Sequence, residues 1–401
     1  MKILMLGWEL PPHNSGGLGV VCLQLCKALA KQNVDIEFIL PYEADHGIDF
    51  MSVTAATPQG VASVIRSGIA YDSYKYIKED GSEEWLNIYD QQELYEKSVE
   101  RLIDGREFDI VHAHDWLTAR AGMRVKEKRG CPLIIHVHSI ESDRSGGNGG
   151  NPLVLEIEEM AMHMADRIMA VSQHTKNCIV RDYGVPADKI EVVHNSIESS
   201  DIVPLDTNNT YRYLEAMRAQ GYRVVTNVGR LTIQKGLPNL LRAAKEVVQR
   251  APKTLFLIVG SGEQYYELIE LAADLGIGAN VFFTGFLRGK QWRDAFAISD
   301  LFVMPSISEP FGLTPLEAVV YGTPSIVSRQ SGVSEVFKNC LKVDFWDVKE
   351  MANQITSVVQ NDELRDTLTM NAQIECQNFS WENASKKVVA VYNQHLVGAA
   401  A

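Results

Sequence analysis

The sequence lacks any excess of positive charge. Lysine and arginine number 38 against 51 aspartates and glutamates, so the formal net charge is −13. The imbalance is concentrated in the first hundred residues, where seven basic side chains stand against fifteen acidic ones, a formal charge of −8. A surface of this sign repels nucleic acid and gains nothing from anionic lipid, although single basic sites can still bind phosphate. We expect neither nucleic acid nor a membrane among the partners.

Long apolar runs and paired cysteines are also missing. The opening MKILMLGW is too short for a signal peptide or a membrane span, and no later run reaches membrane length. The six cysteines show no C-x-x-C pair and no metal-ligand spacing, so we expect them to be reduced. These absences favour a cytoplasmic protein. The cysteines are Cys22, Cys26, Cys131, Cys178, Cys340 and Cys376.

What the sequence does contain is an alternation of short apolar runs and amphipathic stretches. The runs KILMLGW, VDIEFILP, DIVHAH and PLIIHVH predict buried strands, and GLGVVCLQLCKALAKQ has helical periodicity. A second series begins with RVVTNVGRL and continues through TLFLIVGSG, NVFFTGFL, DLFVMPS and TPSIVS. Two such series in 401 residues predict an α/β protein with two Rossmann-like, doubly wound parallel-sheet domains facing a cleft.

The domain boundary is expected near residue 200. The segment SSDIVPLDTNNT is polar, contains proline and has no periodicity, so it predicts an interdomain linker. We predict an N-terminal domain over residues 1–200 and a C-terminal domain over 201–378. The last segment, 379–401, is predicted to be a helix that packs on one of the two domains. Of the two, the N-terminal domain is the first candidate.

Glycine-rich loops follow several predicted strands, which is where folds of this class bind ligands. NSGGLG places Gly16 and Gly17 before a helix, and GSGE places Gly260 after a later strand. Glycine lets backbone N–H groups approach a phosphate, and a helix N-terminus adds a favourable field. A tight turn without a ligand is the alternative for both loops. The spacing G-G-x-G and a second strand ending in ILPY do not match the dinucleotide fingerprint, so NAD is not favoured.

Two cations follow the first strand of the second series. NVGRLTIQKG places Arg230 and Lys235 just beyond that strand. Both side chains can contact one diphosphate, because arginine offers a planar fork of donors and lysine a compact charge. The alternative is a solvated cationic loop.

Four histidines stand at the ends of two strands, in VHAHDW and HVHS. Strand alternation sends His112 and His114 to one face, and His136 and His138 likewise. Imidazole is a common metal ligand, but four histidines at two strand ends do not by themselves make a site. We favour buried structural roles for His112 and His136. For His138, the last of the four and next to a polar run, we favour a hydrogen-bonding role in the cleft.

The stretch SISEPFGLTPLEAVVYGTP spaces two carboxylates across a predicted strand-to-helix junction. Thr314 is expected as the N-cap, Pro315 as N1 and Glu317 as N3 of a capping box. Glu317 therefore has a structural interpretation. Glu309 has none, and it lies on the loop before the helix, where a carboxylate can accept hydrogen bonds from ligand hydroxyls. The amides of Phe311–Thr314 would then face the phosphates of the same ligand.

These motifs together resemble a known family. SGGLG, HAHDW, HVHS, GRLTIQKG and EPFGLTPLEA occur in the order found in the retaining nucleotide-sugar glycosyltransferases of the GT-B fold, family GT4 or glycosyltransferase group 1. The similarity covers nearly the whole chain and extends to bacterial and archaeal glycogen synthases. The E-x7-E element, with Arg230 and Lys235 upstream, is the most specific part of the pattern.

The resemblance implies a role for each matching position. Gly16 and Gly17 of an acceptor-side N-terminal domain would approach the donor phosphate and sugar, and His138 would bond the donor sugar near its reacting carbon. Arg230 and Lys235 would neutralise the leaving diphosphate. Glu309 would hold sugar hydroxyls, and Glu317 would bond the ribose as well as cap its helix. The remaining nucleotide-sugar contacts would come from Gly260 and from the backbone of Phe311, Gly312, Leu313 and Thr314.

The reaction implied is hexosyl transfer with retention, in the first place glucosyl from UDP- or ADP-glucose to an α-glucan or sugar acceptor. No D-x-D motif occurs in the chain, and cations at the leaving group make a metal or other cofactor unnecessary. The absence of an evident enzymic nucleophile implies front-face attack by the acceptor. The partners expected are therefore a nucleotide sugar and a carbohydrate acceptor.

Two features differ from the ADP-glucose-using synthases, in which a lysine usually stands at the position of Asn14 and the segment matching Ile140–Asn151 is longer. Another donor such as GDP-mannose, with a small-molecule, sucrose-type or lipid acceptor, therefore remains open. So does a nucleotide-sugar-binding regulatory module without turnover, although a protein without turnover would be free to lose the charged motif residues. The acidic run Glu156, Glu158 and Glu159 suits a small acceptor, but we favour a solvated helix face for it.

Overall fold

The computed structural model describes residues 1–14, 16–66, 74–198, 205 and 208–397. These residues form parallel strands in two large sheets and antiparallel strands in one small sheet. The strands are β1 Lys2–Leu6, β2 Asp35–Leu40, β3 Ser52–Ala55, β4 Val61–Arg66, β5 Tyr74–Lys78, β6 Glu83–Trp85, β7 Ile110–His114, β8 Leu133–Val137, β9 Arg167–Ala170, β10 Ile190–Val192, β11 Arg223–Val228, β12 Thr254–Val259, β13 Val281–Gly285, β14 Leu301–Met304, β15 Ser325–Ser328 and β16 Leu341–Val343.

Helices occupy most of the connections between the parallel strands. Several begin at a side-chain cap: Asn87 accepts from the amides of Tyr89 and Asp90, and Ser172 accepts from that of Thr175. The helices are α1 Gly17–Ala30, α2 Ile88–Leu102, α3 Asp115–Arg129, α4 Glu141–Arg144, α5 Pro152–Met164, α6 Gln173–Tyr183, α7 Arg212–Ala219, α8 Leu237–Arg250, α9 Tyr265–Asp274, α10 Gly289–Ala297, α11 Thr314–Val320, α12 Val333–Val336, α13 Val348–Gln360, α14 Asp362–Cys376 and α15 Trp381–Val397.

The chain forms two compact units. The first comprises Met1–Glu141, Gly150–Asn195 and Trp381–Ala401, and the second comprises Ser142–Gly149 and Ser196–Ser380. These limits lie within a few residues of the sequence-based boundaries, apart from the short segment Ser142–Gly149. The segment expected to be a linker, 199–210, lies largely outside the described residues.

The first unit is built on a seven-stranded parallel sheet in the order β10-β9-β8-β7-β1-β2-β3. Strands β1, β7 and β8 are buried along almost their whole length, as expected where helices cover both faces of a parallel sheet. The chain reverses its direction of winding between β1 and β7. Loops that leave the carboxyl ends of these two strands therefore stand at a topological switch point, the usual ligand site of doubly wound sheets.

The last helix belongs to the first unit. Helix α15 packs along α1, where the amide of Gln32 hydrogen-bonds the hydroxyl of Ser385. Tyr392 of α15 is fully buried and its hydroxyl lies 2.6 Å from Nδ1 of His112 at the end of the sheet. The helix thus covers the same strand that carries two of the four histidines.

A small antiparallel sheet, β4-β5-β6, was missed by the sequence interpretation. Its strands are short and rich in charged residues, so their alternation is hard to distinguish from a polar loop. On the inner face, Val64, Tyr74 and Tyr76 are almost fully buried. The Tyr74 hydroxyl donates to the carbonyl of Trp8 at 2.9 Å and so fastens this sheet to the loop after β1.

The second unit is built on a six-stranded parallel sheet in the order β13-β12-β11-β14-β15-β16. A core of aliphatic side chains from β11, β12 and β14 packs against α8 and α13, which have matching apolar faces. The switch point lies between β11 and β14, since the winding proceeds outward in both directions from them. Both large sheets confirm the predicted doubly wound α/β class.

The structure bears on three expectations from the sequence: those on membrane-spanning segments, on the cysteines and on the acidic run around Glu158. No helix in the described part of the chain has the length and apolar character needed to cross a bilayer. None of the six cysteines, all of which are described, is in a disulfide. The expectation that Glu158 lies on a solvated face is wrong, because this residue is 3% exposed and accepts a hydrogen bond from the hydroxyl of Tyr183.

Candidate active site

The switch point of the second unit brings Lys235 and Glu309 into contact. Lys235 follows β11 and Glu309 follows β14, and these neighbouring strands deliver both loops to the same edge of the sheet. Lys235 Nζ lies 2.5 Å from Glu309 Oε2, and the Ser306 hydroxyl donates to the same oxygen at 2.9 Å. The Lys235 side chain is 19% exposed and that of Glu309 is 11% exposed, so this is a largely desolvated ion pair.

Gly236 explains how the two loops approach so closely. Its φ of 64° lies in the left-handed region, and a Cβ at this position would stand 2.2 Å from the carbonyl oxygen of Pro305. Next to this contact, the amide of Ile307 donates to the carbonyl of Gln234 at 2.8 Å. The loop after β11 is therefore docked, backbone to backbone, on the loop after β14, and this contact sets the position of Lys235.

The backbone of Glu309 is fixed from its other side. Its amide donates to the carbonyl of Gln330, and its carbonyl accepts from the amide of Gly332, both at 2.9 Å. These bonds hold the loop against the residues that follow β15. The side-chain atom Oε1 of Glu309 accepts from no group in the described ranges, whereas Oε2 has two donors. One oxygen is thus used to hold the site, and one is available to a ligand.

The turn between Glu309 and α11 is shaped by Gly312. The φ of Gly312 is 96°, and an added Cβ would stand 2.9 Å from Met304 Cε and 3.1 Å from Glu309 Cγ. Phe311 beside it is 2% exposed and anchors the turn. Across the described residues, the backbone N–H groups of Gly312, Leu313 and Thr314 donate to no protein acceptor. They are the donors that a helix start leaves unsatisfied, in a turn rigid enough to keep them in place.

The expected capping box is wrong. Helix α11 begins at Thr314 with Leu313 as its N-cap, and no described side chain accepts a hydrogen bond at this end. Thr314 Oγ1 instead lies 4.0 Å from Met304 Sδ. The positions shift by one because Leu313 already has helical φ and ψ and its carbonyl accepts from the amide of Glu317. Glu317 is therefore not engaged in capping.

Glu317 has an uncommon environment for a carboxylate. Glu317 is half-buried. Within the described part of the chain, its side chain makes no ion pair and no hydrogen bond, and desolvation by the surrounding protein raises its pKa to about 7. A carboxyl group placed in such surroundings lowers the stability of the fold once it is ionised. Because neither a helix cap nor an ion pair offsets this destabilisation, a ligand-binding role is favoured for Glu317.

Arg230 and Gly260 occupy different environments in the same region. Arg230 is exposed at the start of the β11 loop. Gly260 has a φ of 139°, a Cβ there would overlap the carbonyl oxygen of Gly229, and its amide already donates to the carbonyl of Gly285 at 2.9 Å. Glycine is thus required at position 260 by the packing of the loops after β11 and β12, whether or not a ligand binds there.

In the first unit, Gly16 and Gly17 form the start of α1. Gly16 is the N-cap with extended φ and ψ; among the described residues, which exclude residue 15, no side chain caps this end and a Cβ on Gly17 would meet no atom within 4 Å. The side-chain amide of Asn14 donates to the carbonyl of Gly16 at 2.8 Å. The tighter constraint falls on Gly19, whose added Cβ would lie 3.1 Å from the carbonyl oxygen of Glu9.

The four histidines form a stack of rings at the switch point of the first sheet. Ring centroids of His112 and His114 are 4.6 Å apart, and those of His136 and His138 are 4.4 Å apart, with interplanar angles of 18° and 21°. Across the strands, His114 Nδ1 lies 2.9 Å from His138 Nε2. Three of the rings are fully buried, while His138 keeps partial exposure. His138 is therefore the member of the stack that a ligand can reach.

Burial keeps these imidazoles neutral. Desolvation lowers the pKa of all four histidines, in the case of His136 to about 3, and the neighbouring rings lower the pKa of His112, His114 and His138 further. Neutral His138 offers a donor and an acceptor instead of a charge. It can contribute hydrogen bonds to a substrate, but it is not a source of positive charge at pH 7.

Two residues important for this geometry were missed at the sequence level. Asp115 follows HAH directly, and its Oδ1 accepts from the amides of His138 and Ser139 at 2.6 and 3.3 Å, which fixes the start of that loop. Its φ of 57° is unusual for a residue other than glycine. Ser306, at the end of β14, orients Glu309. The motif HAHDW contained the signal for Asp115, whereas nothing in the pattern distinguished Ser306 from other serines.

Two family models match the chain. Residues 15–201 match "Glycosyltransferase Family 4", and residues 215–375 match "Glycosyl transferases group 1", so the two matches together span most of the sequence. The chain belongs to the group 1 glycosyltransferases of family 4.

Individual relatives agree with this membership. The chain is 28% identical to an uncharacterized glycosyltransferase of Methanocaldococcus jannaschii, over 98% of both chains. It is 27% identical to a D-inositol 3-phosphate glycosyltransferase of Rhodococcus jostii, over 96% of this chain and 86% of that one. A crystal structure of Anabaena HepE in complex with UDP-glucose superposes with a TM-score of 0.72 at 20% identity, over 98% of this chain and 100% of that one. The predicted GT-B fold class, with its two Rossmann-like domains, is confirmed.

Proposed function

We propose that the chain is a retaining, metal-independent hexosyltransferase that moves glucosyl from UDP- or ADP-glucose to an α-glucan or sugar acceptor. The observation that carries the proposal is the desolvated Lys235–Glu309 pair at the switch point of the second unit, next to the unsatisfied amides of the following turn. A cation, a carboxylate and free N–H groups at one edge of a sheet match the chemistry of a sugar diphosphate. The HepE complex with UDP-glucose supports the choice of donor.

Lys235 and Glu309 divide the recognition of the donor in this proposal. An ammonium group has three N–H donors, so the bond to Glu309 Oε2 leaves donors for the diphosphate. Glu309 Oε1, which has no described partner, accepts hydrogen bonds from the sugar hydroxyls. The pair keeps the lysine oriented before the leaving group develops charge, and such preorganised charge stabilises the transition state most effectively.

The rest of the donor is held by the neighbouring positions. The amides of Gly312, Leu313 and Thr314 donate to sugar and phosphate oxygens, and Glu317 accepts from the ribose hydroxyls. Arg230 adds its guanidinium to the diphosphate. Glu317 must give up its proton to accept two hydroxyls well, and its raised pKa makes this ionisation depend on pH near neutrality.

The first unit contributes contacts of a different kind. Gly16 and Gly17 let the start of α1 approach the donor phosphate, and neutral His138 bonds a hydroxyl of the donor sugar. The acceptor hydroxyl attacks from the face that the diphosphate leaves, and its proton passes to a departing phosphate oxygen. This route gives retention without an enzymic nucleophile and needs no metal ion.

The proposal is tested by a thermal-shift panel of UDP, ADP and GDP sugars, followed by an acceptor screen with the donor that stabilises most. We expect a glucose nucleotide to raise Tm, and turnover with a glucan or sugar acceptor to remain complete after thorough chelation. Product released with inverted configuration, or strict dependence on an added divalent ion, contradicts the mechanism. If no nucleotide sugar raises Tm, the proposed donor site is wrong.

A second candidate is transfer to a small polyol. The relative named D-inositol 3-phosphate glycosyltransferase matches over almost all of this chain, and Asn14 differs from the lysine of the glucan synthases. The acceptor screen therefore includes myo-inositol and its phosphate, as well as sucrose-type acceptors. Exclusive use of a small polyol would replace the glucan proposal and leave the donor site unchanged. Nucleotide-sugar binding with no turnover on any acceptor would favour a regulatory module.

A further inference from the structure

A cluster of three possible metal ligands lies in the first unit, at the inner side of His138. Sγ of Cys22 and one ring nitrogen each of His114 and His138 all lie within 4.8 Å of one another. They come from three elements: Cys22 from α1, His114 from the end of β7, and His138 from the residue after β8. Cys22 and His114 are buried, and the partial exposure of His138 provides a route from solvent.

The contacts of His114 determine which of its two ring nitrogens carries the lone pair. Its Nε2 lies 3.0 Å from the sulfur of Met5. A thioether can only accept, so Nε2 carries the hydrogen and Nδ1 carries the lone pair. That Nδ1 faces His138 Nε2 at 2.9 Å, and Nδ1 of His138 is buried and has no hydrogen-bond partner among the described residues. A hydrogen bond at the far nitrogen, here from His114 Nε2 to Met5, fixes the tautomer of a metal-ligating histidine.

We propose that Cys22, His114 and His138 bind a single zinc-like cation, and that the bound ion inhibits sugar transfer because it holds His138. Two imidazoles and a thiolate suit Zn²⁺, which binds nitrogen at about 2.0–2.1 Å and sulfur at about 2.3 Å. Tetrahedral ligands at these bond lengths stand about 3.3–3.6 Å apart, so small side-chain movements within a cluster whose atoms lie within 4.8 Å of one another are enough to bind the ion. Binding forms one Zn–S and two Zn–N bonds, releases the thiol proton to solvent, and leaves the fourth position to water.

His112, His114 and His136 also place nitrogens within 4.8 Å of one another. The proposed site differs from that group in two respects: it includes a thiol, that of Cys22, and one of its ligands, His138, is partly exposed.

Zinc affinity of the chelator-treated full chain, measured against a chromophoric chelator, tests the site directly. Cys26 provides the matched control, because it is also a buried thiol on α1, one turn beyond Cys22, and is not in the cluster. We expect one ion per chain for the parent and for Cys26→Ser, and at least tenfold weaker binding for Cys22→Ser. His138→Gln, a change at a partly exposed position, is expected to weaken binding to a similar extent, and it keeps the test valid if Cys22→Ser does not fold.

Cobalt provides a second measurement that does not depend on enzyme activity. Co²⁺ bound at this site should show thiolate-to-metal charge-transfer absorption in the parent and in Cys26→Ser, and this absorption should be absent in Cys22→Ser. Equal zinc affinity in the parent and in all three variants, or a cobalt complex without a thiolate band, overturns the proposal. The inhibition rests on the proposed function and is measured separately. If stoichiometric Zn²⁺ binds the cluster but leaves the turnover of the parent unchanged, the proposed inhibition through His138 is wrong, whereas the proposed zinc site is confirmed.

Discussion

Glu309 and Glu317 illustrate how two carboxylates eight residues apart differ in their surroundings. Glu309 is held through Oε2 by Lys235 and Ser306, and through its backbone by the residues after β15. Among the described residues nothing supports Glu317 in this way, and desolvation raises the pKa of its carboxyl to about 7. Charge at Glu309 is therefore stabilised by the protein itself. Charge at Glu317 is costly until a ligand supplies hydrogen bonds.

Replacing Glu317 by glutamine is predicted to raise the stability of the fold near neutral pH while it weakens nucleotide binding. A carboxyl group with a raised pKa in the folded state contributes stability that is fully present below its unfolded pKa, near 4.5, and lost as pH rises to 7. Glutamine does not titrate. We expect Glu317→Gln to gain unfolding free energy relative to the parent as pH rises from 4.5 to 8, and to bind the nucleotide at least tenfold more weakly.

The stability difference between Glu317→Gln and the parent at low pH, where the carboxyl is protonated, is the internal control for the difference at neutral pH. Urea unfolding measured at several pH values gives the stability difference, and calorimetric titration with the best nucleotide gives the affinity. A loss of stability that is constant with pH, together with unaltered nucleotide affinity, would support the capping role that the geometry of α11 argues against.

At the scale of elements, the site depends on backbone contacts between loops more than on the strands that carry them. The loop after β11 docks on the loop after β14 through Gly236, and a second close approach places Gly260 against the carbonyl of Gly229. Neither contact involves a side chain, so the position of Lys235 relies on two residues without a Cβ.

Gly236→Ala is predicted to displace Lys235 from Glu309, because the added Cβ would stand 2.2 Å from the Pro305 oxygen. Gly276→Ala is the matched control: its φ of 73° is also left-handed, but its Cβ would meet no atom of the described residues within 4 Å. The control should lose about 1–2 kcal/mol of unfolding free energy, the cost of a left-handed non-glycine residue, and keep full turnover. Gly236→Ala should lose more stability and at least tenfold in turnover. Equal effects of the two substitutions on turnover would contradict the docking role.

Most strands of the two parallel sheets and the residues of the E-x7-E element could be predicted from the sequence, because buried parallel strands are continuous apolar runs and the motifs lie at their ends. The edge strands β3 and β16 were not predicted, because they are short and only partly buried. The antiparallel sheet around Tyr74 could not be predicted, since its strands are short and charged. The start of α11 could not be predicted either. Threonine and proline suggested a capping box, but the position of the cap depends on the φ and ψ of Leu313. Contacts such as Lys235 with Glu309 join residues 74 positions apart, and no local pattern fixes them.

At the scale of the whole molecule, two parallel sheets each place a cluster of chemically useful residues at their switch points. In the first unit the cluster is a neutral histidine stack with a single partly exposed member, His138. In the second it is a charged pair beside unsatisfied amides. Family membership and the GT-B fold relate both clusters to glycosyl transfer from a nucleotide sugar. The net charge of −13 suits a neutral carbohydrate partner better than a polyanionic one.

The most direct test of the central claim is the steady-state turnover of the parent, Glu309→Gln and Lys235→Ala, with the nucleotide sugar that raises Tm most and its best acceptor. Glu267→Gln on α9 is the matched control, an acidic residue of the same unit outside the proposed site. Both site variants are expected to fold and to lose at least a hundredfold in kcat/KM, whereas the control is expected to stay within twofold of the parent. Turnover of Glu309→Gln or Lys235→Ala within about threefold of the parent would show that the active site lies elsewhere.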